Sequence, residues 1–364
     1  MSTGVGDTSL HKVKIEETAS SIVPLDRPAL QRAQARLDGL TKPKGSLGRL
    51  EEVAASISAI TGSERPSLGR KVIFTLAADH GICEEGVSAF PQEVTAQMVY
   101  NFLRGGAAIN VLASHAGAEV IVVDMGIIGD ILSDKANFIN KKIARGTRNF
   151  SKGPAMTHGQ AYDSIAAGME VFDAAYDTGK IGIAGVGEMG IGNTASSSAI
   201  VSVMTGLDAG LVTGRGTGLD DGSYSKKVEA IRRSVALNRP DPADPVDVLA
   251  KVGGFEIGGI AGIILSAASK RVPVVVDGFI SSCGAMIACG LCGNVKDYLI
   301  MSHQSVEAGH AAVLRHIGKK PLLNLDMRLG EGTGAALGIS VAEAAIKLMN
   351  EMATFGEAGV SENT

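Results

Sequence analysis

The sequence predicts a doubly wound α/β protein with a mainly parallel sheet covered by helices on both faces. Two observations carry this. Six short apolar runs, most of them rich in Val and Ile, lack the strict alternation of a half-exposed strand, as strands buried on both faces do. Stretches with apolar residues at three-to-four spacing lie between them, and alternating strands and helices build parallel sheets.

The predicted strands are 72–77, 119–123, 181–185, 272–276, 298–301 and 322–325. Helical spacing covers 93–114, 162–176, 226–237 and 306–317. Asp244-Pro245-Val246-Asp247 reads as a helix start, with an N-cap Asp, Pro at the first helical position and an acid in the first turn. The flanks differ. Residues 28–40 and 47–61 are helical with no strand among the first 65, and 341–352 is a helix followed by a polar tail. The expected division is a sheet domain over 66–339 and a small helical domain from 1–65 plus 340–364.

Composition narrows the function classes. The chain has 364 residues, of which 47 are glycine, against a usual share of roughly 7 %. With 45 % hydrophobic residues it is not an extended disordered chain. Its 34 basic and 38 acidic residues give no electrostatic reason to expect a nucleic-acid partner. The longest apolar stretch, near 257–268, is too short to span a bilayer, and the first residues contain no apolar signal core. Cys83, Cys283, Cys289 and Cys292 make no disulfide framework, so a cytoplasmic location is expected.

Each apolar run ends in a polar or glycine-bearing turn: Asp79-His80-Gly81, Asp124, Glu188, Asp277-Gly278, Ser302-His303 and Asp326. Ligands in open parallel sheets sit at the carboxyl ends of strands, so six such turns predict a shared crevice. The segment Gly185-Val-Gly187-Glu188-Met-Gly190-Ile-Gly192-Asn193-Thr194 contains the dinucleotide pattern G-x-G-x-x-G, with Asp208 about 20 residues on. Glu188 inside that loop would repel a pyrophosphate. Backbone amides and hydroxyls at the following helix start suit a single phosphate or ribose, or else serve only as caps.

Gly214-Arg215-Gly216-Thr217-Gly218-Leu219-Asp220-Asp221 is either an anion-binding nest or a surface loop. Lys226 and Lys227 follow it, either able to reach a phosphate or ribose. In Met327-Arg328-Leu329-Gly330-Glu331-Gly332, glycines on both sides let the backbone bend a carboxylate into a cleft. An apolar lining from Met327 and Leu329 would raise Glu331 toward general-base range; the plainer reading is an acid favoured at a helix start. Asp79, His80, Cys83 and Glu84 match no standard metal spacing, so no metal is expected. Phe90, Gln97 and Met98 suit the wall of a flat heterocycle pocket. Cys289-Gly-Leu-Cys292 sits in an apolar Gly/Ala-rich stretch and reads as a pair of unreactive thiols.

The segments LTKPKGSLGRLE (40–51), AADHGICEEGVSAFPQEVTAQM (77–98), GEMGIGNTASS (187–197), GRGTGLDD (214–221), SHQSVEAGH (302–310) and MRLGEGTGAAL (327–337) resemble those of the nicotinate-nucleotide–dimethylbenzimidazole phosphoribosyltransferase family of cobalamin lower-ligand synthesis. The resemblance covers about residues 25–355. It implies a three-layer, mainly parallel Rossmann-like sheet with a small helical domain from both termini, assembled as a homodimer. It implies transfer of phosphoribose from nicotinate mononucleotide to a benzimidazole, with no cofactor and no metal. Glu331 matches the family's catalytic base. Glu188 and Lys227 match residues that hold the nucleotide. Gly190, Gly192, Asn193, Gly278 and Ser305 match its phosphate side, and Ser88, Phe90, Gln97 and Leu329 the region of the base pocket. The rival readings are a phosphoribosyltransferase with another acceptor, an NAD-dependent oxidoreductase and a non-catalytic nucleotide-binding regulator.

Overall fold

The computed structural model describes residues 5–216, 218 and 220–361. Thr217 and Leu219 of the glycine loop lie outside the described residues. Six parallel strands, β1 (Arg70–Ala78), β2 (Glu119–Gly126), β3 (Phe138–Asn140), β4 (Ile181–Met189), β5 (Val274–Val276) and β6 (Leu299–Met301), form one sheet in the order β3-β2-β1-β4-β5-β6. This is the doubly wound order, in which the chain leaves β1 toward one edge and returns at β4 to build toward the other.

Alternation along β1 explains the layers. Val72, Phe74, Leu76 and Ala78 face one core, while Ile73 and Ala77 face the other. The first core is closed by α6 (His158–Asp177), α11 (Phe255–Ser269) and α12 (Phe279–Leu291), with α1 (Val5–Ser21) packed on α6 and α11. The second is closed by α3 (Arg49–Thr61), α4 (Val94–Arg104), α5 (Ala108–Ala116) and α14 (Thr333–Glu351), with α2 (Arg27–Asp38) on α3. The two terminal segments therefore reach both layers, and residues 339 and 340 both lie inside the unbroken α14. Among the described residues no helix is long and apolar enough to cross a membrane.

Local signals act as read. Asp244 caps α10 (Pro245–Val252), accepting from the Val246 and Asp247 amides at 2.9 and 3.1 Å. Thr157 and Gln160 form a capping box at the start of α6.

Four expectations need correction. The stretch 322–325 is not a strand: it makes a single parallel bridge, Leu323 to His303, and Leu325 is exposed. β3 was not anticipated, being only three residues long. The helix expected over 93–114 is two, because Gly105 adopts φ 81° and closes α4 before α5 starts. The helix expected from residue 306 begins at His310, as α13 (His310–Ile317).

Helix α11 is almost entirely buried and crosses α6 at backbone contact. A Cβ on Gly168 of α6 would lie 2.0 Å from the Gly259 carbonyl oxygen, and one on Gly262 would lie 1.9 Å from that of Ile165. The glycines near 253–262 thus serve helix packing. Gly262→Ala gains about 1 kcal/mol of helix propensity but overpacks this crossing, and a net loss of about 2 kcal/mol is expected. Urea unfolding of the variant checks it: an unchanged midpoint would contradict the crossing.

Candidate active site

A cleft of about 420 Å³ opens at the carboxyl ends of β1, β4, β5 and β6, where the two halves of the sheet diverge. It is lined by Glu188, Gly190, Asn193, Gly278, Ser305, Phe90, Leu329 and Glu331 from the predicted set. Thr194, His303, Glu307 and Arg328 join them.

Glu331 is held from four directions. Its backbone sits in the left-handed region, at φ 64°, between Gly330 at 90° and Gly332 at 97°. Its N–H donates to the Glu188 carbonyl oxygen at 3.1 Å, and its carbonyl oxygen accepts from Thr75 Oγ1 at 2.8 Å. The carboxylate Oε2 accepts from the Ile109 amide at 3.3 Å, in the first turn of α5. The break at Gly105 creates that helix start, whose dipole favours a negative charge. Asp277, just after β5, accepts from the Gly332 and Gly334 amides at 2.8 and 2.7 Å. Gly187 of β4 must lack a side chain here, because a Cβ would lie 2.2 Å from the Gly332 nitrogen. Gly187 therefore admits the Glu331 turn against β4. Asp208, the expected ribose acid, instead caps α8 (Ala209–Val212) and pairs with Arg232.

The acids of this cleft share one low-dielectric space. Burial raises Glu331, which is 4 % exposed, above the ordinary carboxylate range, against the Ile109 hydrogen bond. Glu188 is pushed up to about 8, first by burial and then by the charges of Asp277 and Glu256. Its carboxyl accepts from Asn193 Nδ2, which draws it the other way. Asp277 is raised to about 7 by burial in spite of its backbone donors.

The opposite end is cationic. Lys227 of α9 (Asp221–Asn238) is fully buried, donating to Thr194 Oγ1 at 2.8 Å and to the Gly214 carbonyl at 3.2 Å. It stands behind the cleft wall that Thr194 of α7 (Asn193–Thr205) forms, while Lys226 points to solvent. Ser305 lies in the loop before α13, its amide donating to His310 Nδ1 at 2.8 Å and its hydroxyl accepting from Glu307 N. Gly278 caps α12 at the cleft wall.

Phe90 and Leu329 form an apolar rim, 53 % and 59 % exposed. Ser88 and Gln97 do not line the cleft: the Ser88 hydroxyl accepts from the Phe90 amide, and Gln97 is exposed on α4. Gly192 also stands outside it, at the N-terminus of α7 and against Cys83.

Sequence reasoning named Asp277 and His303 only as turn residues and passed over Glu256 and Glu307. His80 is fully buried, bridging Ser196 Oγ at 2.9 Å and Glu256 Oε1 at 2.7 Å. Asp79 accepts from the Ile128 amide, and Glu84 pairs with Lys152. Polar residues directly after an apolar strand were the available signal, but the partners of His80 are more than 100 residues away.

The doubly wound sheet thus carries a cleft with an acidic floor, an apolar rim and a hydroxyl-bearing end backed by a buried lysine. Residues 22–360 match the model of a family described as phosphoribosyltransferase. A nicotinate-nucleotide–dimethylbenzimidazole phosphoribosyltransferase of Geobacter metallireducens is 57 % identical over 348 residues, covering 96 % of this chain and 98 % of that protein. Its counterpart in Desulforudis audaxviator is 56 % identical over the same length, with the same coverage. The crystal structure of CobT from Thermus thermophilus superposes with a TM-score of 0.88 at 44 % identity, over 92 % of this chain and 100 % of that one. The chain belongs to the nicotinate-nucleotide–dimethylbenzimidazole phosphoribosyltransferase family.

Glu188 generates a stability prediction. The native carboxyl keeps its proton up to about 8, whereas an unfolded one releases it near 4.5. Between those values the native state binds more protons, so stability falls as pH rises. Glu188→Gln removes its share of that fall. Urea midpoints at about pH 5 and about pH 8 should lie closer together in the variant than in the parent. An equal spread would mean that Glu188 ionises normally.

Proposed function

We propose that this enzyme transfers phosphoribose from nicotinate mononucleotide to 5,6-dimethylbenzimidazole, giving α-ribazole 5′-phosphate and nicotinate, with Glu331 as general base. The observation that carries the base assignment is the mounting of Glu331: a buried carboxylate in a left-handed turn, anchored on the Ile109 amide and lining the cleft. The substrate pair is taken from the names of the relatives, which match this chain over nearly its full length.

The chemistry asks for few groups. The nicotinate ring of the donor is a pyridinium cation and leaves without a general acid. The ribose carbon becomes oxocarbenium-like, and the ionised Glu331 carboxylate in the same cleft favours the developing charge. One nitrogen of the acceptor attacks while Glu331 removes the proton from the other. Attack on the face opposite the leaving group inverts a β donor into an α product. Burial raises Glu331 toward the range where a carboxylate is an effective base. Glu188, with its carboxyl pushed up to about 8, stays protonated near neutral pH and orients donors and acceptors without adding charge. Thr194, Asn193, Ser305 and the Gly190 and Gly278 backbone receive the phosphate and ribose, with the Lys227 charge behind Thr194. Phe90 and Leu329 provide apolar surface for the flat acceptor. The same reading makes the enzyme a cytoplasmic homodimer, in keeping with its four thiols, none in a disulfide.

Incubation with nicotinate mononucleotide and a panel of bases tests the transfer. Nicotinate release only in the presence of a benzimidazole is expected. Release with adenine or phenol instead would reassign the acceptor, and none with any base would end the transferase reading. Glu331→Gln should lower kcat by at least ~10²-fold, the usual scale of a lost general base. Near-normal turnover by that variant would eliminate Glu331 from the role.

A further inference from the structure

We propose that Glu307 is a positioning residue for the nucleotide's phosphate end, holding Lys227 in its ammonium form through the Gly214–Gly216 turn. The inference rests on the reading of Lys227 as a nucleotide-binding residue.

Lys227 has no direct carboxylate partner among the described residues. Its hydrogen bonds go to neutral acceptors, the Thr194 hydroxyl and the Gly214 carbonyl. A cation so placed has lost its water and received no charge in exchange, which favours the neutral amine. Burial brings Lys227 down to about 8, and the one opposing influence is the charge of Glu307.

Glu307 is itself buried, between Ser305 and Arg328 on the cleft wall. Its Oε2 has no hydrogen-bond partner among the described residues. That oxygen lies against the Gly214 backbone: a Cβ on Gly214 would come within 1.9 Å of it. A Cβ on Gly216 would lie 3.2 Å from Lys227 Nζ. The turn is therefore pressed between the two charges, with glycine at both contact points. Arg328 Nη1 donates to the Gly216 carbonyl at 3.1 Å and closes the outer side.

Lys226 and Glu229 of the same helix are exposed to solvent, and other charged groups near it are paired. Arg233 pairs with Glu85, Arg232 with Asp208 and Arg215 with Asp221, while Asp247 of α10 pairs with Lys251 and His158. Burial raises the Glu307 carboxyl above its ordinary value, and the charges of Lys227 and Arg328, with a hydrogen bond from the Gly216 backbone, oppose that rise. A carboxylate set against the backbone next to a buried ammonium, with no hydrogen bond between them, acts by charge.

The test is the pH profile of kcat/KM for nicotinate mononucleotide in the parent, E307Q, E307D and K227A enzymes. Inorganic phosphate binding by calorimetry at the same pH values is the second readout. The parent should lose kcat/KM above about pH 8. E307Q should move that limb down by about one pH unit, a roughly fivefold loss at about pH 8 that approaches tenfold at higher pH, with little loss below about pH 6.5. E307D should restore the limb, and phosphate affinity should follow the same order. A uniform loss at every pH, with the limb unmoved, would mean that Glu307 only braces the turn and would overturn the proposal. K227A separates the two levels: an unchanged nucleotide KM would overturn the reading of Lys227 itself.

Discussion

The carboxylate of Asp277 is the tie on which the rest of the site depends. β5 is three residues long, yet its end lies in the middle of the ligand edge. There Asp277 accepts from two amides at the start of α14. A helix start leaves its first N–H groups without partners, and a buried carboxylate satisfies them while the helix dipole favours its charge. Because the contact excludes water, these bonds are stronger than the same bonds at a surface. They fix the beginning of a nineteen-residue helix relative to the sheet, and Glu331 stands two residues before that helix. β1 contributes Thr75, β4 the Glu188 carbonyl and α5 the Ile109 amide to the same turn.

The cleft is polarised along its length. Glu188, Asp277 and Glu331 lie at one end, with Glu256 behind them. Lys227, Thr194 and Ser305 lie at the other. Desolvation keeps the acidic end from becoming strongly anionic, since Glu188 and Asp277 both ionise well above the ordinary range. Carboxylates so close together cannot all be charged at once, and burial decides which gives up its charge.

The sheet was legible because buried parallel strands need continuous Val and Ile, and five of the six predicted runs form strands. The run 322–325 misled because its apolar residues cover the end of β6 without joining the ladder beyond one bridge. Glu331 was legible from its flanking glycines, a local signal. Asp277 was seen only as a turn residue, since its partners lie 55 and 57 positions away. Residue type alone left Lys226 and Lys227 open; the family resemblance singled out Lys227, and the orientation of α9 buries it and leaves Lys226 exposed. Glycine was the least legible: it serves helix ends and turns at positive φ, the Glu331 turn among them, as well as the crossing of α6 and α11, and composition does not distinguish a bent backbone from two backbones in contact.

The conformation of Glu331 follows from the same economy of space. A residue with a Cβ in the left-handed region costs on the order of 1 kcal/mol, and glycine would relieve it. The sequence places glycine on either side, at 330 and 332, and leaves the strained position to glutamate. Gly332 can then come against Gly187, so the turn sits on β4 with no side chain between them. An extended residue at 331 would carry the carboxylate away from Ile109 and break the amide contact with Glu188. Strain at this one residue is what directs its carboxylate into the cleft, and the hydrogen bonds converging on the turn are what keep it there.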